Sequence, residues 1–81
     1  MQISIRFFSY LKDVTGLTAM TAELPAGSTV ANLHEHLMAR FPKLAGIQNS
    51  TLIAVGVEHQ GRDHVLNEGD EVSFFPPVQG G

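Results

Sequence analysis

The chain contains no cysteine. That excludes a disulfide framework, a thiolate metal site and a cysteine nucleophile, and leaves the apolar core to supply the stability. Basic side chains are scarce as well: five Lys and Arg stand against eight Asp and Glu, for a net charge of −3 with neutral histidines. Phosphate contacts need a basic stripe, so no nucleic-acid partner is expected. No apolar run approaches the ~20 residues of a membrane span, so no membrane partner is expected either. The first residues, Met1-Gln2-Ile3-Ser4-Ile5-Arg6, alternate in polarity. A signal peptide would instead show a basic start and a continuous apolar stretch, so the expected location is cytoplasmic. Asn49-Ser50-Thr51 spells a glycosylation sequon and is read as a chance match in a polar loop.

What is present is ordinary globular material: 81 residues, 43% hydrophobic and 16% charged. One small domain of this size buries only ~60% of its unfolded surface, so a deep enclosed active site is not expected. Ile3, Ile5 and Phe7 alternate with polar neighbours, the period-two pattern of a half-buried strand. Ser9 to Thr15 reads as a short helical turn stopped by Gly16. Leu17 to Leu24 reads as a second strand with Met20, Ala22 and Leu24 on one face, and Pro25-Ala26-Gly27 as a turn. Ser28 or Thr29 caps a main helix whose apolar face is Val30, Leu33, Leu37 and Phe41, and Pro42 ends it. Residues 42–50 read as irregular. Leu52 to Val57 reads as an almost continuously apolar third strand, central or covered on both faces, and 58–66 as a polar stretch. Asn67-Glu68-Gly69-Asp70 is a tight turn before a last strand, Glu71 to Phe75. The order strand, strand, helix, strand, strand predicts an α+β domain, a mixed sheet rolled around one helix.

The tail is the informative feature. The final ten side chains, from Val72 through Phe74-Phe75-Pro76-Pro77-Val78-Gln79-Gly80-Gly81, carry no charge. An acidic shoulder of Glu58, Asp63, Glu68, Asp70 and Glu71 lies just upstream. Two prolines cannot continue a sheet ladder, so the organisation expected is a folded body at 1–75 and an extended tail at 76–81. Six extended residues reach roughly 20 Å. Gly80 and Gly81 have no Cβ, so a narrow channel can admit them and another molecule can close on their backbone. The terminal carboxylate they would present becomes an electrophile only when activated, for example as an acyl adenylate.

The run Gly69-Asp70-Glu71-Val72 followed by Phe74-Phe75-Pro76-Pro77-Val78-Gln79-Gly80-Gly81 resembles the C-terminal signature of the small, sulfur-carrying subunits of molybdopterin synthase. Phe7-Phe8, Leu11-Lys12-Asp13, Gly16, Leu24-Pro25, Thr29-Val30, Leu33 and Ala54-Val55 are similar to that family's body, so the likeness covers the whole chain. Gly56 departs from it, since the family often has Asn there. The resemblance implies a ubiquitin-like β-grasp fold with a flexible extended tail. It implies that an E1-like adenylyltransferase uses ATP to adenylate the Gly81 carboxylate, and that sulfur from a donor then gives a thiocarboxylate. The tail, with Gly80 beside the reacting Gly81, would enter the large synthase subunit and deliver sulfur to a pterin precursor. The acid–base groups would be the partner's, with no cofactor held by this chain, and the assembly would be a heterotetramer of two small and two large subunits.

Strand parity places Phe7 and Phe74 in the core and puts Phe8 and Phe75 out of phase with it. A local bulge would return one of them to the core. Phe8, Lys12, Phe75, Pro76, Pro77, Val78 and Gln79 are accordingly the expected partner-binding residues, with Lys12 at the polar rim. The acidic shoulder suits a basic groove on a partner, or is simply solvated. His34, His36, His59 and His64 fall at spacings of two and five, not the helical i,i+4 of a zinc pair, so no metal is expected. Gly56 to Gly61 mimics P-loop glycine spacing, but Arg62-Asp63 stands where Lys-Ser/Thr would have to be. Two other readings stay open. One is a carrier for another pathway, such as thiamine thiazole synthesis, or a ubiquitin-like modifier of lysines. The other is a β-grasp interaction module with an inert tail.

Overall fold

The structure, a computed structural model, describes residues 1–76 apart from the side chains of Gln48 and Asn49. Strand β1 (Gln2–Phe7) pairs antiparallel with β2 (Ala19–Glu23) and parallel with β5 (Glu71–Phe75). Strand β3 (Leu52–Val55) pairs antiparallel with β5 and with the two-residue β4 (Glu58–His59). The order across the sheet is β2-β1-β5-β3-β4. Helix α1 (Leu11–Thr15) follows β1, and helix α2 (Val30–Arg40) crosses between the two halves of the sheet. This is the mixed sheet on one main helix that the periodicities predict.

Sheet pairing and the alternation of side chains define the core together. Ile3, Ile5 and Phe7 of β1, Val72 and Phe74 of β5, and Ile53 of β3 turn to one face. They meet Val30, Leu33 and Leu37 of α2, and all are buried. Each such side chain contributes about 1.5–3 kcal/mol when fully removed from water. The Phe7 ring sits 5.9 Å from Phe74 and edge-on to Phe41 at 6.2 Å.

The start of α2 is satisfied group by group. Thr29 is the cap: its Oγ1 accepts from the Asn32 N–H at 3.2 Å, and Asn32 Oδ1 accepts from the Thr29 N–H at 2.9 Å. Ser28, the alternative cap, instead donates its hydroxyl to the Pro25 carbonyl. The N–H groups of Val30 and Ala31 donate to the carbonyls of His64 and Arg62. These four N–H groups would otherwise have no intrahelical partner. Phe41 caps the far end ahead of Pro42, and Gly16 closes α1 at φ 77°.

Four local expectations change. Residues Pro42–Ser50 are a 3-10 helix rather than irregular, with Leu44 anchored in the core. The third strand ends at Val55, because Gly56 turns at φ 63°. That left-handed region is one Gly and Asn both tolerate, which accounts for the departure at this position without a change of fold. The turn lets Glu58–His59 fold back on β3, so part of the polar stretch is a strand. Its two residues are too few to show a period. The third strand lies inside the sheet, between β5 and β4, but is covered unevenly: Ile53 and Ala54 are buried, while Leu52 is 38% exposed.

Candidate docking face and tail base

The outward side of the sheet holds the candidate site. In the parallel β1–β5 pair, Phe7 lies opposite Phe74, which places the next residues, Phe8 and Phe75, side by side. The Phe8 N–H donates to the Phe74 carbonyl at 3.1 Å, so pairing continues one step past the strand. No bulge intervenes, and both rings turn outward as parity predicts. They stack with centroids 4.7 Å apart and planes 13° apart. Phe8 is 38% exposed and Phe75 half-buried. An exposed aromatic pair of this kind is costly to leave in water and is a ready anchor for another protein.

The patch extends across the sheet. Leu52 pairs with Phe75 in the β3–β5 register, and the His59 ring lies 6.3 Å from Phe75. Leu52, His59 and the neighbouring Ala54–Ser73 pair are residues the sequence reading did not place here. The apolar alternation of β3 is a signal for Leu52. His59 becomes a neighbour only through the β4 turn. Ser73 shares a strand face with Glu71 and Phe75, yet it is buried along with Ala54. Two small residues thus form the floor of the patch at the sheet centre.

Lys12 is exposed on α1, where its N–H donates to the Ser9 carbonyl. Ser9 itself adopts φ 54°, uncommon outside glycine, and turns the chain sharply after Phe8. Lys12 therefore follows the patch by one turn. Pro76 leaves the end of the central strand directly beside Phe75. Pro77, Val78, Gln79, Gly80 and Gly81 lie outside the described residues.

The acidic shoulder divides. Glu68 accepts the Gln2 N–H at 3.1 Å through both carboxylate oxygens, and Asp70 Oδ2 accepts the Asn67 N–H at 2.8 Å. Those two carboxylates shape the turn before β5. Glu58, Asp63 and Glu71 remain exposed. The four histidines do not converge on a metal, and among the described residues no group of three or more metal-ligating side chains exists.

His34 is a different surprise. It is 1% exposed on the core side of α2, with its ring edge-on to Phe74 at 5.4 Å. Its Nδ1 lies 3.3 Å from Arg62 Nη1, while its buried Nε2 has no partner among the described residues. Burial, and then the Arg62 guanidinium, push the imidazole below the usual histidine range. A neutral ring fits the contact, because arginine can only donate and Nδ1 must accept. No helix among the described residues is long and apolar enough to cross a membrane.

Sheet order, crossing helix and outward aromatic face define a ubiquitin-like β-grasp domain. The profile of the ThiS family matches residues 5–81, and the chain belongs to that family. It is 37% identical to the molybdopterin synthase sulfur carrier subunit of Escherichia coli, over 98% of this chain and 99% of the relative. The protein described as molybdopterin converting factor subunit 1 from Pyrococcus furiosus superposes with a TM-score of 0.89. That match has 27% identity and covers 96% of this chain and 99% of the other. A chain from the complex of subunits 1 and 2 of the molybdopterin-converting factor of Helicobacter pylori has the same fold. Its TM-score is 0.72 at 22% identity, covering 100% of each chain.

Proposed function

We propose that this chain is the sulfur carrier of molybdopterin synthesis, with Gly81 as the reacting residue. The observation that carries the reading is the junction of patch and tail: Pro76 leaves the central strand beside the stacked Phe8–Phe75 pair. A protein that grips this face automatically receives the residues that follow. The whole-length likeness to the Escherichia coli carrier supports the same role. In this reading the folded body, 1–75, is the handle and 76–81 is the reactive arm.

The chemistry asked of Gly81 is simple and balanced. A carboxylate oxygen attacks the α-phosphorus of ATP held by an E1-like enzyme, giving an acyl adenylate and releasing pyrophosphate. Sulfide-level sulfur from a donor, as hydrosulfide, attacks the acyl carbon and displaces AMP, leaving a thiocarboxylate. The thiocarboxylate sulfur then bonds to a carbon of the pterin precursor inside the large synthase subunit, displacing an oxygen leaving group, and water cleaves the resulting acyl–sulfur bond to restore the carboxylate. Glycine serves both steps because nothing on Cα hinders either attack or passage through a channel. The chain's own contribution is recognition and delivery, and ATP belongs to the activating enzyme. A heterotetramer built on a large-subunit dimer is the assembly that fits this use.

The test is the intact mass of the chain after incubation with an E1-like activator, ATP and a sulfur donor. The expected result is an ATP-dependent rise equal to one oxygen replaced by sulfur, localised to Gly81. A chain extended by one residue after Gly81 should show none. An unchanged mass with an activator active on its own carrier, or equal conversion of the extended chain, overturns the reading. Conversion without sulfur transfer to a pterin precursor would favour a carrier for another pathway or a lysine modifier.

A further inference from the structure

Next to the docking patch lies a cleft of about 460 Å³, between the start of β3, the end of β4 and helix α2. Leu52 and His59, which also belong to the patch, line it together with the polar His34, Thr51, Gln60 and Arg62. No carboxylate lines it among the described residues. In a chain of net charge −3, this is a local reversal of sign.

Arg62 is held in place there at both ends. Its carbonyl accepts the Ala31 N–H at 2.8 Å, which pins the backbone to the first turn of α2. One turn further along the helix, His34 Nδ1 meets Nη1 of its guanidinium at 3.3 Å. Arg62 has no ion-pair partner among the described residues. A guanidinium has five N–H donors in a planar fork, so one contact with His34 leaves most of them open. His34 lines the same cleft, and its buried Nε2, which carries the proton when Nδ1 accepts, has no partner among the described residues.

We propose that this cleft receives an acidic side chain, Asp or Glu, of the protein that docks on the Phe8–Phe75 face. The proposal rests on the reading of that face as the docking surface. Two observations favour a partner's carboxylate over other occupants. The cleft is continuous with the patch, because Leu52 is the register partner of Phe75 and His59 lies 6.3 Å from the Phe75 ring. A molecule covering the patch therefore reaches the mouth of the cleft. The charge also suits a carboxylate: one arginine fork matches one carboxylate bidentately, whereas a polyphosphate needs several cations or a nest of backbone N–H groups. Holding the arginine in advance spares the ordering cost of the pair on association.

The interface thus has two parts, an aromatic anchor and a charged latch. They respond differently to salt, since only the charged part is screened. The experiment is calorimetric titration of the full chain into the large synthase subunit at low and high salt. Wild type, Arg62→Gln, Arg62→Lys and Phe75→Ala are compared. Arg62→Gln is expected to weaken binding about tenfold at low salt and to flatten the salt dependence. Arg62→Lys should keep the salt dependence but lose part of the affinity, because the fork is gone. Phe75→Ala should weaken binding with the salt dependence unchanged. If Arg62→Gln binds like wild type while Phe75→Ala is weakened, the latch is overturned and the docking face stands. If neither variant is weakened, or wild type does not bind, the docking reading falls and the latch with it. If acetate or phosphate shifts the Arg62 resonances while Arg62→Gln leaves partner binding intact, the cleft serves a free anion and the proposal is overturned.

Discussion

Phe74 and Phe75 are the same residue type one step apart on the central strand, and they meet opposite surroundings. Phe74 is fully buried, touching Phe7 and His34 under the helix. Phe75 is half-buried, stacked on Phe8 and open to whatever approaches the sheet. Phe7 and Phe8 repeat the contrast on the neighbouring strand. A parallel register that puts Phe7 opposite Phe74 ties the two contrasts together, so each face receives one aromatic pair. The pleat alone sorts core from surface: four phenylalanines in two dipeptides give one core pair and one surface pair.

The sharpest break of that comparison is truncation of each partner in turn. Phe74→Ala should cost about 3–5 kcal/mol, the usual cost of emptying a packed aromatic site. That is a large share of the whole stability of a domain this small. Phe75→Ala should cost only about 1 kcal/mol, since it loses little more than the stack. Urea unfolding of the two variants side by side checks both. Equal losses would mean that the outward pair is structural after all.

A finer measurement separates the stack from the rest of the surface. In a double-mutant cycle on Phe8→Ala and Phe75→Ala, the coupling should be about 0.5–1.5 kcal/mol. A coupling near zero would leave the rings as neighbours without mutual stabilisation, held only by the strand register.

The smallest effect concerns pH and the inner face. His34 lies against Phe74, and its folded form resists protonation because burial and Arg62 disfavour a second positive charge. The unfolded chain takes up a proton near the ordinary histidine value of about 6.5. Stability is therefore full above that pH and falls as pH drops toward the folded value. His34→Gln should flatten that fall in urea titrations between pH 5 and pH 7, whatever it does to the absolute stability. An unchanged slope would show that another group carries it. Arg62 is the charged group facing His34, and the variant leaves it in place.

Much of this architecture is legible in the chain because its signals are local and periodic. The alternation of Ile3, Ile5 and Phe7, the helical spacing of Val30, Leu33 and Leu37, and the stop at Gly16 each lie within a few residues. The outward turn of Phe8 and Phe75 follows from counting by twos, and the structure keeps that count unbroken. The 3-10 helix at Pro42–Ser50 escaped because its opening proline and internal Gly46 read as breakers, and β4 because two residues cannot display a period. Ser73 escaped for another reason. Its burial comes from neighbouring strands in the middle of the sheet, which parity along one strand does not register.

Which residues face the helix, which aromatic residues are left over for the surface, and that a tail without charged side chains follows them are all written in the chain itself. Local stereochemistry sets these, through a pleat of two, a helical repeat of 3.6 and prolines that cannot pair. The tertiary structure decided what lies beside what. Strand order brought Leu52 to Phe75, and the turn at Gly56 brought His59 to the patch. The loop pinned to α2 set Arg62 against a buried His34, twenty-eight positions away in the chain. Such neighbours depend on how elements distant in sequence bury their shared apolar faces, and no short-range pattern encodes that choice.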